Sequence, residues 1–360
     1  MQVIDADAHI EESVNTWEFI DPAFYSRRPI PIEIPLDTSW GDCNAAWIID
    51  DRIRRFGATP TLMQRAHKKD VEIPSQELTD VNARLRDLDR LGIQKQVIFP
   101  SLMLGCLAED VDLEVQLAKS YNTFLALKCS ESGGRLWYAA IIPFRRPDAA
   151  IDEIRRIKQM AGVASIFVRG MEWDTPINHP RFNPIYEEAQ RQHLPITVHI
   201  GQGSPSIVRM FDGMPRLPDH LHRLPPRGRG LVSFLLSQYA FQCIMEAGLL
   251  EEFPKLRWGF LELGCEWIVP AITSLSRSSK INCRKYFDEG RIFISCEPDE
   301  DLPHVISKIG EDSLMVASDF PHTDAFRHDF LQQVFGERGD LSPGTQEKIL
   351  EKNAARLYGI

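Results

Sequence analysis

No run of ~18 apolar residues occurs anywhere in the 360-residue sequence, which excludes a bilayer-spanning helix as its organising element. Cysteine is sparse: the 7 residues Cys43, Cys106, Cys129, Cys243, Cys265, Cys283 and Cys296 contain no C-x-x-C pair. An odd, scattered set argues against a zinc knuckle or a disulfide framework and for reduced thiols in a cytoplasmic protein. G-x-G-x-x-G and Walker patterns are missing, so nothing supports a phosphate-cradling loop. Positive charge is also short, with Lys+Arg of 41 against Asp+Glu of 51 and a net charge of −10. That balance speaks against a phosphate-backbone binder. The opening MQVIDADAHI places charges where a signal peptide needs an apolar stretch. Neither nucleic acid nor a membrane is therefore expected as a partner.

What is present is apolar material for a large core, 43% of residues. Short β-rich runs recur along the chain: VIDADAHI, KQVIFP, LWYAAIIPF, ASIFVRG, PITVHIG, LRWGFLEL, RIFISCE and SLMVASDFPH. Amphipathic stretches such as LTDVNARLRDLDRLGI and DAAIDEIRRIKQMAG lie between them, with apolar residues returning every three or four positions. This alternation predicts a parallel sheet, and eight units predict one (β/α)8 TIM barrel over residues 1–360. A doubly wound open sheet is the alternative.

Two segments exceed what a barrel needs. Residues 24–76 follow the first strand, carry the Pro-rich RRPIPIEIP, and read as an inserted cap whose aromatics Trp40, Trp47 and Phe56 would cover a pocket. Residues 202–230 form a long active-site loop bearing Arg209, Arg216, Arg223, Arg227 and Arg229 against Asp212 and Asp219. Such a loop is either a solvated connection or a clamp for an anionic substrate. The charge-free LVSFLLSQYAFQCIM, residues 231–245, reads as a buried barrel helix or a subunit face, and a homo-oligomer is expected.

The chemistry gathers at strand ends. In the first strand a period of two sets Asp5, Asp7 and His9 on one face and Ile4, Ala6, Ala8 and Ile10 on the other. Barrel interiors are filled by branched apolar side chains, so inward acids and a histidine need a compensating partner, which a divalent cation would supply. Asp7 and His9, two apart, have the spacing for one metal. Three later strands end in the same residue types: His199, Glu262 and Asp319. Taken singly, His199 is as readily a hydrogen-bonded core histidine, and Asp319 a helix cap. In a barrel the first and eighth strands are neighbours, so Asp7, His9 and Asp319 converge with His199 and Glu262 closing from the other side.

These residues resemble the amidohydrolase-related family, the aminocarboxymuconate-semialdehyde decarboxylase-like branch of the amidohydrolase superfamily. The resemblance rests on DADAHIEE, HPRFNPIYEEAQRQHLPITVHIG, GLLEEFPKLRWGFLELGCEWIVP, SCEPDE, LMVASDFPHTD and EKNAARLYGI, in that order. It implies a metal-dependent barrel whose ligands fall on Asp7, His9, His199 and Asp319. Asp7 stands where many relatives carry the first histidine of H-x-H. Glu262 stands where many carry a sixth-strand histidine, as a fifth ligand, a general base or a hydrogen-bonding partner. Dinuclear members bridge two metals with a fourth-strand carboxylated lysine. This chain has Arg169 there, which cannot be carboxylated, so one metal per chain is expected, with two still open if Glu262 and Asp7 share a second.

The donor set suits zinc first, then manganese or iron. Such a cation lowers the pKa of its water to about 7, which makes a hydrolase of a small organic substrate bearing an anionic group the first expectation, with Asp319 or Glu262 moving the proton. The alternative is a non-oxidative decarboxylase of an aromatic or unsaturated acid. An iron-dependent oxygenase and a non-catalytic ligand-binding barrel rank lower. His322 is expected to touch substrate or transfer a proton. Arg169 is weighed evenly between a substrate carboxylate and a structural ion pair, and Trp267 and Ser204 are expected at the substrate, with Glu266 and Asp324 nearby. Glu297 and Asp299 are expected to brace the rim. His179, His193, His220, His222, His304 and His328 read as solvated or capping residues.

Overall fold

Each of the eight apolar runs becomes a strand, because alternating helices cover one face and the barrel interior the other. The computed structural model describes residues 2–35, 45–54, 71–210, 227–322 and 331–360. The strands are β1 (Ile4–Ile10), β2 (Lys95–Pro100), β3 (Leu136–Ile141), β4 (Val163–Val168), β5 (Ile196–His199), β6 (Trp258–Leu261), β7 (Ile292–Cys296) and β8 (Leu314–Val316). They form one 8-stranded sheet in chain order, and its neighbouring strands pair in parallel. The first and last strands are joined just past β8: His9 N donates to Phe320 O at 2.6 Å, and Ser318 N and Asp319 N donate to Asp7 O at 3.2 and 2.9 Å. The (β/α)8 TIM-barrel expectation is met.

One helix layer surrounds the sheet: α1 (Val81–Leu91), α2 (Val111–Ser130), α3 (Pro147–Ile157), α4 (Asn183–Arg191), α5 (Arg227–Glu246), α6 (Ile268–Ser278), α7 (Leu302–Ile309) and α8 (Asn353–Tyr358). Their ends follow local chemistry. Asp80 caps α1 through Asn82 N and left-handed Gly92 stops it, while Asp110 accepts from Asp112 N and Leu113 N to start α2. Helix α3 opens on Pro147 and buries Ala150, Ile154 and Ile157 as one stripe.

The first strand departs from simple alternation. Asp5 pairs with Gln96 and Ala8 with Ile98, so three steps along β1 match two along β2. Gln96 and Ile98 share a face, hence Asp5 and Ala8 do as well, and Asp5 leaves the face that Asp7 and His9 occupy. The expected triad of inward groups is corrected to a pair. Asp5 instead accepts from Gln96 Nε2 at 2.7 Å, Ser318 N at 2.8 Å and Ser318 Oγ at 2.6 Å, while burial pushes its carboxyl up to about 7. Tyr358 on α8 donates its hydroxyl to Ala6 O at 2.7 Å, satisfying a carbonyl inside the irregular stretch.

Arg84 of α1 locks this region. Only 1% exposed, it donates to Gln96 Oε1 at 2.8 Å, His9 O at 2.7 Å and Ser75 O at 3.1 Å. Arg84→Ala strands these buried acceptors and is expected to cost about 3 kcal/mol. A urea midpoint reads this directly, and a loss below about 1 kcal/mol would remove Arg84 from this role.

Within the predicted cap, Ile30–Glu33, Ala45–Ile49 and Arg52–Arg54 make a small antiparallel sheet. It rests on the loop after β2: Arg52 pairs with Glu109 at 2.7 Å, Arg54 donates to Leu107 O at 3.0 Å, and Asp50 accepts from Glu109 N and Asp110 N. Trp47 is buried edge-on against Trp17. Trp40, Phe56, Cys43, Asp212, Arg216, Asp219, His220, His222, Arg223, Asp324 and His328 lie outside the described residues, as do the side chains of Arg227 and Arg229. Helix α5 buries Leu236, Ala240, Phe241 and Ile244 and presents Phe234, Leu235 and Tyr239 to solvent, so it is covered on one side rather than all round. Among the described residues no helix is long and apolar enough to cross a membrane.

Candidate metal centre

The C-terminal ends of β1, β5, β6 and β8 bring together Asp7, His9, His199, Glu262 and Asp319. His9 Nε2 lies 3.0 Å from Asp319 Oδ1 and 3.7 Å from Asp7 Oδ1. His199 Nε2 lies 3.1 Å from Asp7 Oδ2 and 3.2 Å from Glu262 Oε2. The two imidazole rings meet edge to face at 5.0 Å. One ligand atom from each of Asp7, His9 and His199 falls within 4.8 Å of the others, and the same holds for His9, Asp319 and His322.

Each histidine is oriented by its far nitrogen. His9 Nδ1 lies 3.0 Å from Pro100 O, and His199 Nδ1 lies 2.8 Å from Ile200 O. A carbonyl can only accept, so Nδ1 carries the proton and the Nε2 lone pair faces the cluster. Both oxygens of Asp7, His9 Nε2 and His199 Nε2 are buried and make no hydrogen bond among the described residues. Polar atoms left so cost several kcal/mol unless something compensates them. A divalent cation among two imidazoles and two or three carboxylates is that compensation, so the residues present fit the group.

Electrostatics agree in direction. Burial pushes His9 down to about 4, keeping it neutral. Burial, the largest single influence, disfavours protonated His199 too, but Asp7, the Ile200 carbonyl and Asp319 together raise the group. Burial alone would raise Asp319, yet His322 and His9 hold its carboxyl well below the usual carboxylate range. Two carboxylates also occupy left-handed backbone, Glu262 at φ 58° and Asp319 at φ 51°. Asp tolerates that region better than Glu, and strain of this kind collects where a side chain must be aimed. Glu262 is held by its own N–H, which donates to Ser295 Oγ at 3.1 Å.

His322 lies beside the cluster, its Nδ1 2.8 Å from Asp319 Oδ1 and its ring stacked on His9 at 3.9 Å. Arg169 is buried and tied elsewhere: it pairs with Glu172 at 2.5 Å and donates to Met103 O at 2.9 Å, the ion-pair arrangement. Trp267 packs on Phe241 and Phe260 at 5.5 and 5.7 Å and donates to Gly264 O, between α5 and β6. Ser204 gives its hydroxyl to Asp174 and accepts from Ile207 N, starting a short helix. Those contacts place neither Trp267 nor Ser204 among the clustered ligand atoms. The rim brace falls chiefly on Glu300, which accepts from Cys265 N, Glu266 N and Glu297 N, rather than on Glu297 or Asp299. Burial pushes the Glu297 carboxyl up to about 7.

Sequence reasoning gave no role to four residues around the site. Phe99 stacks on His199 at 5.1 Å, Ser101 Oγ lies 2.7 Å from His322 Nε2, Glu11 Oε1 lies 3.7 Å from the same nitrogen, and Glu12 is fully buried nearby. Phe99 and Ser101 sit at the end of β2, the same strand-end signal that marked His199. Glu11 and Glu12 complete the quoted DADAHIEE.

The amidohydrolase family model matches residues 4–360. A γ-resorcylate decarboxylase from Rhizobium sp. is 23% identical over 300 residues, covering 78% of this chain and 87% of the relative. The crystal structure of an amidohydrolase from Mycobacterium avium subsp. paratuberculosis K-10 superposes with a TM-score of 0.76 at 17% identity, covering 100% of this chain and 98% of that one. A dihydroxybenzoic acid decarboxylase from Polaromonas sp. JS666, solved with bound manganese and the inhibitor 2-nitroresorcinol, gives a TM-score of 0.61 at 20% identity over 81% of this chain and 90% of its own.

Proposed function

The chain belongs to the amidohydrolase family, and on that premise we propose that it is a metal-dependent, non-oxidative decarboxylase of an ortho-hydroxylated aromatic acid. The observation that carries this reading is that a relative covering most of both chains is a γ-resorcylate decarboxylase, while this chain gathers a cation-sized set of buried donor atoms at the C-terminal ends of its strands. A divalent cation would supply a positive centre for the substrate's carboxylate and neighbouring hydroxyl; the manganese bound in the Polaromonas enzyme favours that metal over the zinc that the sequence ranks first.

Asp7, His9, His199 and Asp319 are the proposed ligands, with Glu262 against His199. Asp319 Oδ1, in contact with His322 Nδ1, is assigned to relay from His322 the proton that the ring carbon takes up as the carbon–carbon bond breaks and carbon dioxide leaves. The electron pair of that bond ends in the new carbon–hydrogen bond. Phe99, flat against His199, keeps water from that side of the site. Arg169, committed to Glu172, is assigned to bracing the rim. The sheet spanning residues 30–33 and 45–54 is assigned as part of the cap.

A hydrolase would use the same ligands, so the product decides between the two. Manganese-loaded protein given 2,6-dihydroxybenzoate in D2O containing 18O is expected to release carbon dioxide and a resorcinol that gains one deuterium and no 18O. No carbon dioxide from 2,6-dihydroxybenzoate, together with solvent 18O entering the acid released from an ester or amide of a hydroxybenzoate, would overturn the decarboxylase and restore hydrolysis.

A further inference from the structure

Glu12 contributes nothing to the ligand cluster, yet it is 0% exposed. It lies two residues beyond β1, and its carboxylate accepts three backbone N–H groups from the turn after β2: Ser101 at 3.2 Å, Leu102 at 2.7 Å and Met103 at 3.4 Å. Three bonds to one side chain fix successive peptide planes.

The anchored turn is a junction. Ser101 Oγ meets His322 Nε2 at 2.7 Å, Met103 O accepts Arg169 Nε at 2.9 Å, and Leu104 O accepts Gln202 N at 2.8 Å. Chain leaving β1, β2, β4, β5 and β8 thus meets at one short segment. The link through Ser101 leads to the metal centre, because His322 contacts Asp319 and lies flat on His9.

We infer that Glu12 is a positioning residue that holds Ser101 so that its hydroxyl seats His322 against Asp319 and His9. The inference rests on the proposed metal centre and not on which reaction that centre performs. A glutamine at position 12 keeps one acceptor oxygen but turns an amide N–H2 toward backbone donors, so the peptide planes of 101–103 must move.

The test uses the full chain with Mn2+ as the probe and compares E12Q, E12D, S101A and the E12Q/S101A double variant. Two quantities are read: Mn2+ affinity by chelator competition, and the rate at which diethyl pyrocarbonate modifies His322, followed by peptide mass mapping. E12Q and S101A are each expected to weaken Mn2+ binding about 10-fold, the effect of losing an outer partner of a ligand, and to speed His322 modification. The double variant is expected to lose no more than the weaker-binding single, and E12D to recover most of the loss. An E12Q protein with unchanged affinity and an unchanged His322 rate overturns the inference, and so do additive losses in the double variant. Should E12Q fail to fold, S101A decides: a folded S101A protein with both quantities unchanged overturns it equally. A wild-type chain that binds no Mn2+ while E12Q still speeds His322 modification would instead remove the metal centre and leave the Glu12–Ser101–His322 link standing.

Discussion

His199→Ala is expected to purify without metal and to lose carbon dioxide release by about 10³-fold or more, the scale set by removing several kcal/mol of charge stabilisation. The argument is geometric. His199 is fully buried at the end of β5, its Nδ1 is committed to Ile200 O, and its Nε2 faces Asp7 and Glu262 at 3.1 and 3.2 Å. No other imidazole among the described residues approaches Glu262 and Asp7 from that side, so alanine leaves two carboxylates facing each other without a cation to reconcile them. Elemental analysis of protein purified without added metal checks the first half and steady-state product formation the second. The Asp7→Ala/His9→Ala double variant is expected to behave likewise. About one metal per wild-type chain supports a mononuclear centre; about two would make Glu262 a ligand. A His199→Ala protein retaining both metal and turnover would sink the site.

The barrel was legible because its strands are buried on both faces and so read as nearly continuous apolar runs, from KQVIFP to RIFISCE. The gathering of the candidate ligands was legible for a related reason: a polar residue at the end of such a run has only the rim to go to. His199, Glu262 and Asp319 all obey that rule. What the pattern could not carry is the register slip in β1, which depends on Gln96 and Ser318, partners 91 and 313 residues away from Asp5. Alternation alone kept Asp5 with Asp7 and His9. Trp267 and Ser204 have further contacts that the pattern could not announce. Both stand just past strand ends in sequence, but Trp267 is drawn into an aromatic cluster with Phe241 and Phe260, and Ser204 into a turn closed by Asp174. Proximity along the chain to a rim residue does not say which side of the sheet a side chain takes. Glu12 escaped for want of any local signal, since its partners are backbone groups that no residue type announces.

Asp319→Asn is expected to lower kcat by about 10³-fold while the protein stays folded and still takes up Mn2+ when the ion is supplied in excess. The choice of asparagine matters because Asp319 sits at φ 51°, a conformation asparagine adopts about as readily as aspartate, whereas alanine would add backbone strain to the loss of the carboxylate. Asparagine also keeps an oxygen of the same reach, so contact with His9 and His322, now at 3.0 and 2.8 Å, survives in outline. What disappears is the negative charge and the ability to hold a proton. A drop in kcat at saturating Mn2+ therefore reports the proton-handling role, while the metal titration in the same samples separates it from weakened ligation. Comparison with His322→Ala refines the assignment. If His322 serves by holding Asp319, its removal lowers kcat less than Asp319→Asn and adds little to it in the double variant, because both act on one proton path. An Asp319→Asn enzyme turning over at the wild-type rate would take Asp319 out of the chemistry and move the proton to Glu262, the other rim carboxylate in left-handed backbone.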